Sequence, residues 1–183
     1  QEPGVDLKAW LGIKQLKNDN RIERYLTPEQ SANLLHAVKD SLNTQLVFIV
    51  AFLIYTGARK REVLEVKWSD INFEQGSWKI SKNKSNKVRH IPLSEGALET
   101  LSAVREKWRM QHAGAGVGPH DFVFANPSTL KPFSSFFYSW NTARIKAGMP
   151  ELRVHDLRHS FASFLVNAGR SIYEVQELLG HAD

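Results

Sequence analysis

The stretch HDLRHSFASFLVNAG, residues 155–169, sets His155, Arg158 and His159 side by side just before an apolar run. On a helix these three lie within about one turn and share a face. Cations taken out of water are costly unless something negative meets them. A helix start is itself an anion site, because unpaired N–H groups and the macrodipole point there. A histidine and an arginine in that place can hold one phosphate between them. Two other readings use the same residues. His155 and His159 have the i,i+4 spacing of zinc helices, although no third ligand stands at a motif-like distance and Arg158 would set a cation beside the metal. They are also consistent with a polar helix end whose histidines are hydrogen-bonded.

Three more segments carry chemistry. In TGARKREVLEVKWSDI, residues 56–71, Gly57 closes one helix and Arg59 opens the next. A lone cation is unfavourable at a helix N-terminus, so Arg59 calls for a docked anion or for pairing with Glu62. In KISKNKSNKVRHIPLS, residues 79–94, a lysine-rich turn joins two strands, and its tip can reach into a groove. In LLGHAD, residues 178–183, Gly180 is a helix C-cap and His181 follows it. From Gly57 to Pro92 nine Lys and Arg stand against four Asp and Glu, which accounts for a surplus equal to the whole chain's net charge of +5. A basic surplus in one segment is the footprint of a polyanion partner, or of a solvated lysine-rich hairpin.

These residues need a scaffold. The chain has 183 residues, 42% of them hydrophobic, enough for the core of one domain. Cysteine is absent, which excludes disulfides and cysteine-ligated zinc. The longest apolar stretch, LVFIVAFLIY at 46–55, suits a buried helix and is too short to span a bilayer. Thr27-Pro28-Glu29-Gln30 is a capping-box helix start, and the helix is expected to run to 39. Further helices are expected at 43–56, 59–66, 95–112 (capped by Ser94), 134–147, 155–168 and 171–179. Within 155–168, Leu157, Phe161, Leu165 and their neighbours are expected to face the core. Segments 68–73, 77–81 and 87–92 have strand composition and turn signals between them. FVFAN, residues 122–126, is expected to be extended. The fold class is therefore mainly α with a small three-stranded antiparallel β-sheet. Residues 1–23 have weak periodicity and are expected to form an arm or linker, with the domain proper at 24–183.

Taken together and in this order, TGARKRE, KSNKVRHIPL, HDLRH and LLGH resemble the catalytic domain of the tyrosine recombinases, the phage integrase family. RYLTPEQ at 24–30 resembles the start of that domain. The resemblance implies the family's catalytic-domain fold and a DNA-rejoining activity through a 3′-phosphotyrosyl intermediate. By matched position it implies that Arg59 and Arg158 clamp the scissile phosphate and that His155 assists proton transfer. Lys84, with Lys82 as runner-up, would be the general acid, and His181 would hydrogen-bond the phosphate. Glu62 would hold Arg59, and His159 would support the helix. No metal or other cofactor is implied.

The resemblance also implies duplex DNA as partner, a homotetramer on DNA for a full-length protein, and a cytoplasmic, nucleoid-associated setting. The family's nucleophile is a tyrosine beyond the histidine of Leu-Gly-His. None of Tyr25, Tyr55, Tyr138 and Tyr173 occupies that place, so the nucleophile is expected beyond Asp183. The chain alone is then expected to be monomeric, to bind DNA weakly and to be inactive in cleavage. Three alternatives share the residues: a non-cleaving DNA-binding relative, a metal-dependent phosphodiesterase using His155, His159 and His181, and a type IB topoisomerase.

Overall fold

The computed structural model describes residues 25–81, 88–112, 116–118 and 120–180. Among these residues it contains seven α-helices and one three-stranded antiparallel sheet, the expected fold class. Helix α1, Pro28–Lys39, begins as its sequence requires. Thr27 Oγ1 accepts the Gln30 N–H at 3.2 Å, and Gln30 Oε1 accepts the Thr27 N–H at 2.9 Å.

Helix α2, Leu46–Thr56, is the centre of the molecule. Leu46, Ile49, Val50, Phe52 and Leu53 are all buried, and α1 and three later helices pack around them. A helix that is apolar on every side has nowhere to go but the core. It starts at Leu46 and not at 43, because Asn43 Oδ1 accepts the Gln45 N–H at 3.1 Å and holds the chain in a turn. Helix α3, Lys60–Glu65, follows the Gly57 bend and buries Val63 and Leu64.

The sheet runs β1 Ile71–Asn72, β2 Ser77–Ile80, β3 Arg89–Pro92, in that order. Trp78 lies opposite both Ile71 and Ile91, so the three form a row across one face. That face packs on α2: the Phe52 ring lies 5.3 Å from Trp78 and 5.3 Å from Phe124. Each such buried side chain contributes about 1.5–3 kcal/mol of hydrophobic stabilisation. The first expected strand is shortened to two residues. Residues Trp68–Asp70 instead wind into a 3₁₀ turn, closed by Asp70 Oδ2 accepting the Lys67 N–H at 2.9 Å.

Helix α4, Glu95–Gln111, is capped by Ser94 as expected. The FVFAN segment is not a strand; it makes isolated bridges, Phe122 to Lys67 and Ala125 to Pro132. Helix α5, Phe137–Lys146, starts later than expected, after Ser135 Oγ accepts the Phe137 N–H at 3.1 Å. Helix α6, Asp156–Asn167, buries Leu157, Ser160 and Phe164. Phe161 and Leu165 are only half-buried. Phe161 leans instead over Gly57, where a Cβ would come within 2.3 Å of its ring. Helix α7, Ile172–Leu179, is capped by Ser171 and Glu174 and packs against both α6 and β3. No helix of the described residues is long and apolar enough to cross a membrane.

Candidate active site

The site forms where α2, α3, β3, α6 and α7 meet. Gly57 ends α2 in the left-handed conformation, φ 60°, which glycine adopts without strain. The chain then turns sharply and places Arg59 at the N-cap of α3. Glu62, one turn on, accepts the Arg59 backbone N–H at 2.8 Å through Oε2. Its Oε1 accepts from Arg59 Nη1 at 3.1 Å. The expected pairing of Glu62 with Arg59 is therefore present. Arg59 Nη2 also donates to the Gly180 carbonyl at 3.1 Å, across the chain to the C-cap of α7.

Arg158 approaches the same C-cap from α6. Nη1 donates to the Gly57 carbonyl at 2.9 Å and Nη2 to the Leu179 carbonyl at 2.6 Å. Two guanidiniums from distant parts of the chain thus hold consecutive carbonyls, Leu179 and Gly180. Arg158 is 5% exposed. Burial, and then the neighbouring cations Arg59 and Arg89, pull its guanidinium down to about 10, against the attraction of Glu62. It remains a cation at neutral pH, held where a positive charge is disfavoured until an anion arrives.

His155 is the N-cap residue of α6, and His159 lies one turn on. Both are exposed at the surface, with rings edge to face and centroids 4.8 Å apart. Partial desolvation, followed by the charges of His159 and Arg158, holds the His155 imidazole below the ordinary histidine value. A ring that is neutral near pH 7 can accept a proton. The α6 start is fixed from below by Asp156. Its buried carboxylate accepts the Arg153 backbone N–H at 2.8 Å and Arg153 Nη2 at 2.7 Å. Burial raises the Asp156 carboxyl, but the hydrogen bonds and charge of Arg153 outweigh it and the net shift is downward.

One member of the cluster was not among the expected residues. Arg89 on β3 donates from Nη2 to Glu62 Oε2 at 2.7 Å. Its side chain is 12% exposed. Its signal in the sequence was strand alternation: residues 89 and 91 share a face, and Ile91 belongs to the core. Arg59 and Arg89 both pair with the Glu62 carboxylate, and Arg158 feels its charge from farther off. Within this cluster, Arg59 and Arg158 can receive an anion with guanidinium donors in fixed positions.

Lys84, its runner-up Lys82 and His181 lie outside the described residues. The ends of the hairpin that carries the two lysines, Ile80 and Arg89, stand opposite each other in the β2–β3 register. Among the described residues no group of three or more His, Cys, Asp or Glu is placed to hold a metal ion.

The chain matches the phage integrase family over residues 24–183. It is 30% identical over 185 residues to the tyrosine recombinase XerC of Pediococcus pentosaceus, covering 97% of this chain and 60% of the relative. The fold is similar to the crystal structure of XerA recombinase, with a TM-score of 0.72 and 24% identity, covering 93% of this chain and 59% of that one. It is also similar to the Tn1549 transposon integrase solved in complex with transposon right end DNA, with a TM-score of 0.70 and 23% identity, covering 92% of this chain and 61% of that one. The chain spans 57% and 60% of the length of two curated relatives that it matches. Its four motifs, its fold and this match over most of its length place the chain in the phage integrase family.

Proposed function

We propose that this chain is the phosphate-binding core of a site-specific DNA recombinase that cuts and rejoins duplex DNA. The observation that carries the reading is the convergence of Arg59 and Arg158 on consecutive carbonyls of the α7 C-cap. Both guanidiniums keep N–H groups beyond those two bonds, since each has five donors in a planar fork. Arg59 is 43% exposed on its side chain, which supports access from solvent.

In the proposed reaction a tyrosine hydroxyl of the full-length protein attacks a DNA phosphorus. The phosphorus–O5′ bond breaks, giving a 3′-phosphotyrosyl link and a free 5′ hydroxyl. Attack by a hydroxyl of a partner strand reverses the step. Two transesterifications conserve the phosphodiester energy and need no nucleotide cofactor. Arg59 and Arg158 neutralise the growing charge on the non-bridging oxygens. His155, with its depressed pKa, takes part in proton transfer with the nucleophile. Lys84 protonates the departing O5′, and His181 hydrogen-bonds the phosphate. Glu62 orients Arg59, and His159 packs beside His155. The partner is duplex DNA, met in the nucleoid, and the full-length protein acts as a tetramer on two duplexes.

A nicked suicide duplex tests this reading. Full-length protein carrying this chain is expected to become covalently joined to the 3′ end of the cut strand, and Arg158→Ala to lose that product. A full-length protein that binds the duplex and never forms the link would be a non-cleaving relative.

A further inference from the structure

Arg89 is the one member of the arginine cluster to which the proposed reaction gives no task, and its surroundings are unusual. It enters from the strand that follows the lysine hairpin, and its Nη2 meets Glu62 at 2.7 Å. The same Glu62 oxygen accepts the Arg59 backbone N–H at 2.8 Å, while the other oxygen holds Arg59 Nη1. Arg89 also packs closely against the α7 C-cap. A Cβ at Gly180 would stand 2.3 Å from Nη1 and 3.0 Å from Cδ. Glycine at 180 therefore does two things: it takes the left-handed φ of 65°, and it makes room for Arg89.

Nε and Nη1 of Arg89 are buried and have no hydrogen-bond partner among the described residues. Leaving buried donors unpaired is costly. A chain that only needed to fill this space could use an apolar side chain, which is often the more stable choice for a buried ion pair.

We propose that Arg89 is a positioning residue for Arg59. Through Glu62 on one side and the face of Gly180 on the other, it sets the Arg59 guanidinium and the α7 C-cap in one arrangement. It thereby links strand β3 to the phosphate clamp. This rests on the phosphate-clamp reading of Arg59, but its test separates from it. Arg89 donates to the carboxylate that orients Arg59, so its loss removes the anchor of Glu62 outside α3 and lets Glu62 and the Arg59 side chain shift together, while the surface that meets the rest of the duplex stays as it is. A misplacement of about 1 Å at a reacting group can cost on the order of a hundredfold in rate.

The test compares Arg89→Met and Arg89→Lys in two measurements. The first is the side-chain Nε–Hε resonance of Arg59 in this chain, beside its thermal unfolding. The second is covalent-complex formation and duplex affinity in the full-length protein. In Arg89→Met the Arg59 resonance is expected to move, and cleavage to fall by about tenfold or more at duplex affinity within about twofold of the parent. Arg89→Lys, which keeps a cation for Glu62, is expected to recover most of both. An Arg59 resonance unmoved in folded Arg89→Met would overturn the proposal, as would a cleavage loss no larger than the loss of duplex binding. Should Arg89→Met fail to fold, Glu62→Gln is compared with Glu62→Gln/Arg89→Lys. Equal cleavage by the two supports action through Glu62, and a further independent loss in the double variant refutes it. If Arg59→Ala itself cleaves normally, the clamp reading fails, whatever Arg89 does to the Arg59 resonance.

Discussion

Replacing Arg158 by methionine tests whether the charge or the packing of this side chain matters, and the structure sets the size of each. The guanidinium is pulled from the ordinary arginine value down to about 10 by burial and by Arg59 and Arg89. At about 1.4 kcal/mol per unit, its surroundings oppose the charge by roughly 3 kcal/mol. Its two hydrogen bonds, to the carbonyls of Gly57 and Leu179, offset that by about 1.5–3 kcal/mol each. Methionine relieves the first and forfeits the second, so Arg158→Met should lose about 0–3 kcal/mol in urea unfolding and stay folded. Duplex binding should respond differently. If Arg158 meets a phosphate, the variant binds more weakly, and the slope of log K against log salt becomes shallower by about one. Fluorescence anisotropy with a labelled duplex at several salt concentrations reads both. An unchanged slope in a folded variant would show that Arg158 is a structural cation turned toward carbonyls alone.

Other outcomes follow from the same geometry. Gly57→Ala forces a left-handed alanine, about 1–2 kcal/mol, and drives a Cβ into Phe161, about 1–3 kcal/mol more. Gly148→Ala has a similar positive φ but open space around it, so urea unfolding should show only the first cost there. Asp156 has a lowered pKa, so its contribution is complete above the unfolded value of 3.8 and is lost as pH falls through the folded value. Thermal unfolding against pH should therefore drop more steeply in the parent than in Asp156→Asn below that point. His155 has a folded pKa below 6.5, so its neutral ring costs no stability above 6.5, and stability falls as pH descends from there through the folded value. An NMR titration should place the His155 midpoint under 6.5, and a midpoint above that value would remove the basis for its proton-transfer role.

Much of the clamp was legible because its parts are local. Thr56-Gly57-Ala58-Arg59 is a helix stop followed by a helix start, and Glu62 lies one turn from Arg59 by spacing alone. The α7 C-cap was legible from Gly180. What spacing cannot show is that Gly57, Leu179 and Gly180 offer carbonyls to two arginines, since those bonds join α2, α3, α6 and α7. Arg89 was missed for a related reason. By composition it is one more charge of the basic 57–92 segment, although its strand position puts it on the Ile91 face. The displaced helix starts at Leu46 and Phe137 have short-range causes, side-chain oxygens of Asn43 and Ser135 that bind backbone N–H groups. On α6 the apolar pattern points to Leu157, Phe161, Leu165 and their neighbours, and of these Leu157 and Phe164 are buried while Phe161 and Leu165 are half-buried. Covering the Gly57 bend took Phe161 out of the core.

The clamp itself is most directly observed through the arginine side-chain Nε–Hε signals of this chain as duplex DNA is added. Arg59 and Arg158 are expected to shift together and saturably, while Arg109 on the far end of α4 and Arg170 before α7 move little. If Arg109 or Arg170 shifts while Arg59 and Arg158 stay fixed, DNA meets another face and the cluster holds only the protein's own carbonyls.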